Sequence, residues 1–568
     1  MKTRLIVVVG MFFVALALQG CGSGGNDCTP NAKTLCREGA TYWVDSCGNE
    51  GNKAGDCDCG CNAEFTGCKT PCDCTPSCSG KECGANGCGG TCGTCTGGDT
   101  CNAQGQCVTS CTPSCVGREC GWDPVCGTMN CGGCAAGLHC INGRCFGFKQ
   151  ITAGGLHTCG LSTTGTAYCW GWDIYGQLGN GVEVQDICND NSCSQVPVEV
   201  NVSGINGPTF THLSAGHDHT CGLTTDGEIY CWGIDSDGQL GDGNRAIDNC
   251  GVHPCARTPV AVDCSGIGNP EFAQISSGGG FSCGLASNNE IYCWGYDNYG
   301  QLGNGAGIID TCGSQNNVPC SQLPVKVERG PIGQSEILSL SAGGAHACEL
   351  TEDGLIYCMG LDDSGQLGDG GATPGICANN PCSEVPVAVD VSGLENFTFS
   401  QVSAGWMYTC GLTTGGVPYC WGNDHYGQLG SEDAVMDECN SSPCSQVPVL
   451  VDTTGINNPI FSQLTNGEGH TCGLVETGQA YCWGWDVYGQ LGNGADLDSS
   501  QVPMPVDTTE VGSPSFTQLS AGQYHTCGLT MDGKAYCWGR DDFGQLGDGG
   551  SSQDSQVPVL VALTSIIK

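Results

Sequence analysis

Cysteine is the residue type with the most chemical potential in this chain, because 50 of its 568 residues are cysteines. Seven pairs recur with the two cysteines ten residues apart. In the second pair, Cys221 and Cys231 are equidistant from Asp226, so they face each other across a predicted β-hairpin on one face of the sheet. This spacing predicts seven cross-strand disulfides: Cys159–Cys169, Cys221–Cys231, Cys283–Cys293, Cys348–Cys358, Cys410–Cys420, Cys472–Cys482 and Cys527–Cys537.

Five of the segments that follow these hairpins contain a second, closer pair of cysteines. We predict that these pairs clip surface loops: Cys188–Cys193, Cys250–Cys255, Cys312–Cys320, Cys377–Cys382 and Cys439–Cys444. A stiff loop on a rigid scaffold binds a partner at a low entropy cost, which favours a recognition surface. The alternative is that these disulfides only stabilise the loops outside the cell and have no role in recognition. Cys264 has no repeat-equivalent partner and is interpreted as either an inert buried thiol or a reactive one.

The histidines and carboxylates make a weaker case for metal chemistry. A histidine precedes the first cysteine of five pairs, but Phe281 and Tyr408 replace it in the other two; the five are His157, His219, His346, His470 and His525. A ring of metal ligands would not tolerate these replacements, so we predict histidines that pack and hydrogen-bond between repeats. Acidic turns at Asp235–Asp242 and Asp362–Asp369 offer oxygen ligands for calcium, but their spacing differs from the twelve-residue calcium loop. We therefore expect no cofactor, with calcium as the lesser alternative.

Tryptophan follows the second cysteine of every pair except one. These residues are predicted to form the core between repeats: Trp170, Trp232, Trp294, Trp421, Trp483 and Trp538, with Met359 in the fourth copy. Trp172, Trp406 and Trp485 fall outside this register. They are predicted to be contact residues on the surface.

All these residues belong to a unit that recurs seven times within residues 147–568. Each copy contains Gly-Gln-Leu-Gly, and successive copies are 62, 62, 65, 62, 62 and 55 residues apart. The second copy contains four short strand-like segments: Phe210–Gly216, His219–Leu223, Glu228–Gly233 and Thr258–Val262. Four-stranded antiparallel sheets repeated around an axis form a β-propeller, which protects its sheet edges. The sequence therefore predicts an all-β fold, a seven-bladed propeller of four-stranded antiparallel blades.

The His-Thr, Trp-Gly and Gly-Gln-Leu-Gly motifs of these copies resemble the repeats of the regulator of chromosome condensation family, whose propeller also has seven blades. The resemblance implies that strands from both chain ends share one blade, with Val557–Val561 beside Phe148–Ile151. It also implies two known activities. The best known in the family is nucleotide exchange on a small GTPase, and a secreted relative inhibits β-lactamases. No exchange residue carries over to this chain, because the shared motifs are scaffold motifs.

Ahead of the propeller lies a region that is too poor in aliphatic residues to form a core and contains 24 cysteines. We predict that small disulfide-rich modules occupy it: a divergent module at 28–72 and two duplicated modules at 73–146. The duplication is visible in Cys74-Thr-Pro-Ser-Cys78 and Cys111-Thr-Pro-Ser-Cys115. Cys92-x-x-Cys95 and Cys131-x-x-Cys134 have zinc-like spacing, but a disulfide framework is favoured.

The first 20 residues have the features of a signal peptide: Lys2 and Arg4, then an apolar run from Leu5 to Leu18 that is too short to span a bilayer. Leu18-Gln19-Gly20-Cys21 resembles a bacterial lipobox, which implies lipidation of Cys21. We predict that residues 21–27 are the lipid anchor and a flexible tether. The chain is thus expected to be an exported bacterial lipoprotein of the outer membrane or cell surface, with a freely secreted protein as the alternative.

Charge and motifs restrict the function. A formal charge of −41, with 17 Lys and Arg against 58 Asp and Glu, argues against nucleic acid as a partner. The sequence contains no Gly-x-Ser-x-Gly, His-Glu-x-x-His or phosphate-loop motif, so we predict no catalytic residues and no enzyme activity. The favoured function is a surface-tethered binding module that recognises a protein or glycan through propeller loops. The alternatives are a secreted inhibitor of an enzyme and, less favoured, a guanine-nucleotide exchange factor.

Replacing the lipobox cysteine tests the predicted anchor. In Cys21→Ser the protein should move from the membrane pellet to the soluble fraction, because no other segment of the sequence is predicted to hold it on a bilayer. The measurement is fractionation after a carbonate wash. A variant that still pellets with membranes would show that the anchor lies elsewhere.

Overall fold

The structure is a computed structural model that describes residues 144–563, with gaps at 182–185, 206, 244–247, 306–309, 313–317, 373–374, 395–397, 432–436 and 551–552, together with 120, 133–134 and 138–141. Before residue 120 it describes only the backbone of short strands. Lys33–Arg37, Ala40–Val44 and Glu50–Asp56 form an antiparallel sheet, and Thr100–Cys101 pairs with Cys107–Val108. Cys21, the tether and most of the predicted cysteine-rich modules lie outside the described residues. No helix among the described residues is long and apolar enough to cross a membrane.

The chain divides into two compact units, of which the second comprises residues 117–121 and 131–568. Seven antiparallel sheets follow one another in this unit, and each contains the four strands that the repeat predicts. The predicted seven-bladed propeller is therefore confirmed. In blade order, the strands are Phe148–Ala153, His157–Ser162, Ala167–Trp172, Asn191–Glu199; Phe210–Ala215, His219–Thr224, Ile229–Ile234, His253–Ala261; Phe272–Ser277, Phe281–Ala286, Ile291–Tyr296, Val318–Lys326; Ile337–Ala342, His346–Thr351, Ile356–Leu361, Asn380–Ala388; Phe399–Ala404, Tyr408–Thr413, Pro418–Asn423, Ser442–Leu450; Phe461–Asn466, His470–Val475, Ala480–Trp485, Ser499–Pro505; and Phe516–Ala521, His525–Thr530, Ala535–Gly539, Ser555–Leu560.

Blades 1 to 5 each have a fifth strand, which the repeat pattern does not predict. The clipped segments are β-hairpins rather than loops, and their first strand pairs with the start of the fourth strand. We call each of these hairpins a ribbon. The fifth strands are Asp186–Cys188, Asp248–Cys250, Asp310–Cys312, Gly375–Cys377 and Asp437–Cys439. Short 3-10 helices lie in four of the connections between blades, at Ser265–Ile267, Gly330–Ile332, Thr454–Ile456 and Thr509–Val511.

The ring closes between two complete blades, so the predicted blade shared by both chain ends is wrong. Phe148–Ala153 belongs to blade 1, whereas Ser555–Leu560 is the fourth strand of blade 7. The seventh copy supplies four strands of its own, which leaves none to be shared. Closure instead uses side-chain contacts between neighbouring blades, such as the 2.7 Å hydrogen bond between Thr158 Oγ1 and His525 Nε2.

The Gly-Gln-Leu-Gly turn joins each blade to the next through the backbone carbonyl of its glutamine. The carbonyl of Gln177 accepts the indole N–H of Trp232 at 2.9 Å and the hydroxyl of Thr220 at 3.1 Å, both from blade 2. The last glycine of the turn, Gly179, has a φ of +68°, and a Cβ there would lie 2.7 Å from the Trp232 indole nitrogen. Glycine is therefore required where the turn packs against the next blade.

The same two bonds recur at six of the seven interfaces between blades, with carbonyls at Gln177, Gln239, Gln366, Gln428, Gln490 and Gln545. The six tryptophans that donate are fully buried. The prediction that they form the core between blades is thus confirmed. An indole buried in this way contributes apolar contact area and also satisfies its N–H.

The five repeat histidines extend this contact, as predicted. His157 Nε2 lies 2.8 Å from Thr220 Oγ1 of the next blade. Because that hydroxyl donates its proton to the Gln177 carbonyl, the histidine must donate from Nε2. Complete burial lowers the pKa of His157 to about 4 and of His219, His346, His470 and His525 to about 3. These histidines are therefore neutral hydrogen-bond donors of the scaffold.

The interface between blades 3 and 4 replaces all three polar partners with apolar residues. Phe281 stands where the other blades have histidine or tyrosine, and it packs in one cluster with Ala347 and Met359. Ala347 occupies the threonine position and Met359 the tryptophan position. Two departures that look independent in the sequence, Phe281 and Met359, therefore belong to one apolar interface.

Each blade is also fixed internally by a disulfide across its second and third strands. Cys221 lies directly opposite Cys231 in the strand register, with the Cα atoms 4.1 Å apart. The other six hairpin pairs are bonded in the same way. Each such disulfide closes a loop of about ten residues and stabilises the folded protein by about 2–3 kcal/mol, because it lowers the conformational entropy of the unfolded chain.

The end of the second duplicated module packs against the propeller. Its described cysteines form the disulfides Cys120–Cys140 and Cys134–Cys145. The hairpin of His139–Ile141 with Arg144–Phe146 brings Phe146 against Phe148, with ring centroids 5.1 Å apart. His139 also forms a 3.3 Å ion pair with Asp532, in the turn between the second and third strands of blade 7.

The apolar interface suggests a way to test the role of the histidines. His346→Phe combined with Thr409→Ala copies the Phe281 and Ala347 pair and should fold. Because the pKa of His346 is about 3 in the folded protein and 6.5 when unfolded, wild type loses stability as the pH falls from 6.5 to 3. Over that range the free energy of unfolding should fall by a few kcal/mol less in the double variant than in wild type, since one pKa unit corresponds to about 1.4 kcal/mol.

The measurement is chemical unfolding from pH 7 to pH 4. Thr409→Ala alone is the control, because it leaves His346 Nε2 buried without its partner and should cost about 1–3 kcal/mol. Equal acid sensitivity in wild type and the double variant would contradict the assignment of a neutral buried histidine.

Candidate ligand-binding face

One face of the propeller collects the positions at which the seven copies differ. The first strands line a central channel, and the turns that follow them surround its mouth. The third strand ends at the same face, because the Trp172 N–H donates to the Leu156 carbonyl at 2.9 Å. We call this side the channel-mouth face. The opposite face carries the turns between the second and third strands, including the one at Asp532 against which the cysteine-rich segment lies.

Half-buried aromatic side chains cover one sector of the channel-mouth face. We define the aromatic patch by its residues, which come from blades 5, 6, 7 and 1: Tyr426, Trp485, Tyr488, Tyr524, Arg540, Phe543 and Trp172. Tyr426 and Trp485 stack with ring centroids 4.7 Å apart and an interplanar angle of 11°. Trp485 also contacts Tyr488 and Tyr524, at 5.8 and 5.4 Å. The patch is thus continuous across blade boundaries.

Arg540 lies between the rings of Tyr488 and Tyr524 on one side and the ring of Phe543 on the other. Its guanidinium carbon lies 5.0 Å from the ring centroid of Tyr488, 5.2 Å from that of Tyr524 and 5.4 Å from that of Phe543. The Asp542 carboxylate pairs with the same guanidinium at 2.9 Å. Phe543 in turn lies 5.7 Å from Trp172 across the point where the ring closes. Held in this way, Arg540 loses little side-chain freedom on binding a ligand.

The patch lies where the ribbons are missing. Two ribbons reach the preceding blade: Asn189 donates to the Asp542 carbonyl at 3.4 Å, and Asn440 to the Asp363 carbonyl at 3.1 Å. Blades 6 and 7 have no ribbon, so the turns of blades 5 and 6 lack an equivalent cover. His425 and Val487, at the tips of these turns, are accordingly exposed, Val487 by 53%. Among the described residues the ribbons therefore form a crown with a gap, and the gap exposes the part of the aromatic patch that blades 5 and 6 supply.

The channel mouth lies beside the patch and is lined by His217, Trp406, Glu468 and Gln523. The rings of His217 and Trp406, from blades 2 and 5, lie 5.3 Å apart at the mouth. His217 Nδ1 is 2.7 Å from Asp218 Oδ2. Although burial lowers it, the pKa of His217 is raised overall by the hydrogen bond to Asp218 and by the charges of Asp218 and Glu468. His217 is thus a histidine of the channel mouth with an acidic hydrogen-bond partner.

Glu468 connects the mouth with the patch. Burial, together with the charge of Glu468 and a hydrogen bond to it, raises the pKa of Tyr524 to about 12. Gln523, which also lines the mouth, donates from Nε2 to the Tyr524 hydroxyl at 3.0 Å. This bond makes the mouth and the aromatic patch parts of one surface.

The acidic turns that could have bound calcium have a structural role. One oxygen of Asp235 accepts the Leu240 N–H at 3.1 Å, and one oxygen of Asp362 accepts the Leu367 N–H at 3.0 Å. Burial and the neighbouring Asp242 raise the pKa of Asp235 to about 7. These carboxylates shape the turn that carries Gly-Gln-Leu-Gly.

Cys264 is half-buried and packs against the core of blade 2. Burial first, and then the charges of Asp263 and Glu228, raise the pKa of its thiol to about 11. Because the thiolate is the reactive form, the inert interpretation of Cys264 is the one that this environment supports. The equivalent residues in blades 1 and 4 are Val202 and Val391. Cys264 thus substitutes for a small apolar side chain.

Three tryptophans were predicted to be surface contact residues, and all three lie on the channel-mouth face: Trp172, Trp406 and Trp485. Trp406 is 37% exposed, whereas Trp172 and Trp485 are half-buried by their neighbours in the patch. Sequence reasoning missed Arg540, Tyr426, Tyr488 and Tyr524. The sequence contains a signal for Arg540. Trp172, Trp485 and Arg540 occupy the same repeat position, at the end of the third strand, and the residue at that position varies among the copies.

Comparison with known families agrees with this architecture. A model of the RCC1-like domain matches residues 83–511, and models of the regulator of chromosome condensation (RCC1) repeat match residues 516–545 and 532–567. The chain belongs to the RCC1-like family. The predicted family is therefore confirmed.

Individual relatives cover most of the propeller. The chain is 28% identical to the ultraviolet-B receptor UVR8 of Arabidopsis thaliana over 417 residues, which is 73% of this chain and 82% of the relative. It is 25% identical to the human regulator of chromosome condensation over 388 residues, 67% and 82% of the two chains. The crystal structure of Prp20p from Saccharomyces cerevisiae has a TM-score of 0.56 at 21% identity and covers 71% of this chain and 88% of Prp20p. The structural likeness shows the fold alone.

Proposed function

We propose that this chain is an exported, lipid-anchored binding protein that recognises a protein or glycan with the channel-mouth face of its propeller and catalyses no reaction. The aromatic patch is the observation that carries this proposal. It combines six aromatic rings with a pre-positioned arginine, and among the described residues no ribbon covers the turns of blades 5 and 6 that carry Tyr426 and Tyr488. Trp, Tyr and Arg are the residue types that dominate binding energy at protein interfaces, and aromatic faces also stack on sugar rings.

The attachment of the cysteine-rich segment supports this choice of face. His139 and Phe146 contact the propeller beside Asp532 and Phe148, on the side away from the channel mouth. These described residues of the segment therefore leave the channel-mouth face uncovered, and a recognition surface requires such access.

The relatives are named for different activities, and this favours binding over one inherited reaction. One is an ultraviolet-B receptor, another a regulator of chromosome condensation, and the Prp20p structure is titled for its binding to Gsp1p and histones. The His217 and Asp218 pair could serve a hydrolase, but within the described residues the nearby Ser277 hydroxyl makes no hydrogen bond. Of the alternatives, inhibition of an enzyme uses the same surface, and nucleotide exchange has no residue assigned to it here.

Substitutions within the patch test the proposal. The full chain carrying Cys21→Ser would be immobilised and exposed to surface proteins and polysaccharides of the cells that produce it. Trp485→Ala and Arg540→Ala should each weaken capture of the main ligand at least tenfold, because truncating a central hot-spot residue of an interface costs about 2–4 kcal/mol. Met531→Ala, an 82% exposed side chain on the opposite face, is the matched control and should leave capture unchanged.

The captured ligand also separates the alternatives. An enzyme whose activity falls on addition of the chain would identify an inhibitor. If the patch variants capture normally while substitutions in the cysteine-rich region abolish capture, the propeller is a spacer and the proposal fails.

A further inference from the structure

One position at the channel mouth breaks the sevenfold pattern. The residue after the conserved turn glycine is itself glycine in three blades, at Gly155, Gly279 and Gly344. The other four blades carry four chemically different side chains there: His217, Trp406, Glu468 and Gln523. All seven positions line the same mouth. Scaffold positions keep one residue type in most copies, so this divergence indicates selection for a ligand rather than for packing.

The mouth has the size of a side chain. Its volume is about 240 Å³, which is below the roughly 300–1,000 Å³ of typical small-molecule pockets. The rings of His217 and Trp406 contact each other over part of the mouth, with centroids 5.3 Å apart. The remaining opening therefore suits a small group such as a side chain.

The unused hydrogen-bonding capacity at the mouth is almost entirely that of acceptors. Within the described residues, Asn466 Oδ1 and Glu468 Oε2 line this channel, are buried and accept no hydrogen bond. Ser277 lines the same channel, is 7% exposed, and has a hydroxyl without a partner. Leaving such groups unpaired costs about 1–3 kcal/mol each. A group with several N–H donors and no acceptor would satisfy them.

The charge at the mouth points in the same direction. The Glu468 carboxylate lines the mouth, and the charge that His217 brings there is offset by its hydrogen-bond partner Asp218. The exposed face of the Trp406 indole can stabilise a cation by a cation–π contact. The formal charge of −41 on the whole chain attracts cationic partners from a distance.

We propose that the channel mouth binds the ammonium group of a lysine side chain presented by a basic protein partner. Glu468 would supply charge, Asn466 and Ser277 hydrogen bonds, and Trp406 the aromatic contact. The proposal rests on the proposed binding function and narrows its ligand from protein or glycan to protein. The hydroxyls of a neutral glycan could donate to these oxygens but would leave the charge of Glu468 uncompensated. The 3.0 Å hydrogen bond from Gln523 Nε2 to the Tyr524 hydroxyl places the aromatic patch next to the mouth, where the backbone that presents the lysine would lie.

A peptide titration tests this site. The full chain with Cys21→Ser would be titrated calorimetrically with acetyl-Ala-Lys-Ala-amide, and with the same peptide carrying norleucine in place of lysine. The lysine peptide should bind one site with a dissociation constant on the order of 1 mM, weakening as salt rises, and the norleucine peptide at least tenfold more weakly. Cellotetraose and chitotetraose serve as neutral glycan probes and should not bind.

Two substitutions localise the binding. Glu468→Gln keeps the shape of the side chain and should weaken the lysine peptide at least tenfold, and Trp406→Leu should weaken it severalfold. Glu271→Gln, at an exposed position beside the Gly227 turn of the opposite face, is the matched control and should have no effect. Thermal melting of each variant shows whether it is folded. If Glu468→Gln were unstable, the difference in affinity of wild type for the lysine and norleucine peptides would still test the lysine site.

The outcomes separate this inference from the proposed function. Equal binding of lysine and norleucine peptides, binding that Glu468→Gln leaves unchanged, or binding of a neutral glycan instead would overturn the lysine site. If the site fails but patch variants still abolish capture of the surface ligand, the proposed function stands. If the lysine peptide binds as expected while patch variants capture normally, the lysine site stands and the aromatic patch is not the part of the face that captures the ligand.

Discussion

The backbone carbonyl of the glutamine in Gly-Gln-Leu-Gly is the group on which the propeller depends. At six interfaces it accepts an indole N–H and a hydroxyl from the next blade, and both donors are fully buried. These bonds exist only because the turn glycine leaves room for the indole. The same pair of bonds closes the ring at Gln545, with Trp170 and Thr158 as donors. One local turn, repeated, therefore specifies a closed assembly.

The hydrogen bonds between blades and the hairpin disulfides fix the scaffold. The remaining positions are therefore free to differ between copies. The turns after the first strand, the ends of the third strand and the tips of the acidic turns all reach the channel-mouth face. There the copies diverge, from Gly155 to Glu468 in one position and from Leu361 to Arg540 in another. Because the described parts of blades 6 and 7 contain no ribbon, the part of the aromatic patch that blades 5 and 6 supply is exposed. Stability and recognition are thus assigned to different residues of one repeat.

Local features of this fold could be predicted from the sequence, because spacing alone determines them. Cys221 and Cys231 lie opposite each other once the turn at Asp226 is placed. Features that depend on contacts between repeats could not be predicted. Phe281, Ala347 and Met359 lie in two copies, and only the folded ring brings them together. The stack of Tyr426 on Trp485 crosses a blade boundary in the same way, so a repeat alignment places these residues but does not pair them.

Hydrogen exchange measured by mass spectrometry, on the full chain with and without its captured surface ligand, tests the central claim most directly. A ligand held on the channel-mouth face should slow exchange in the turns around His217, Trp406 and Glu468 and in the segments around Trp485 and Arg540. The turns of the opposite face, such as Thr225–Gly227 and Met531–Gly533, should be unchanged. Protection confined to the opposite face or to residues 28–146 would contradict the account.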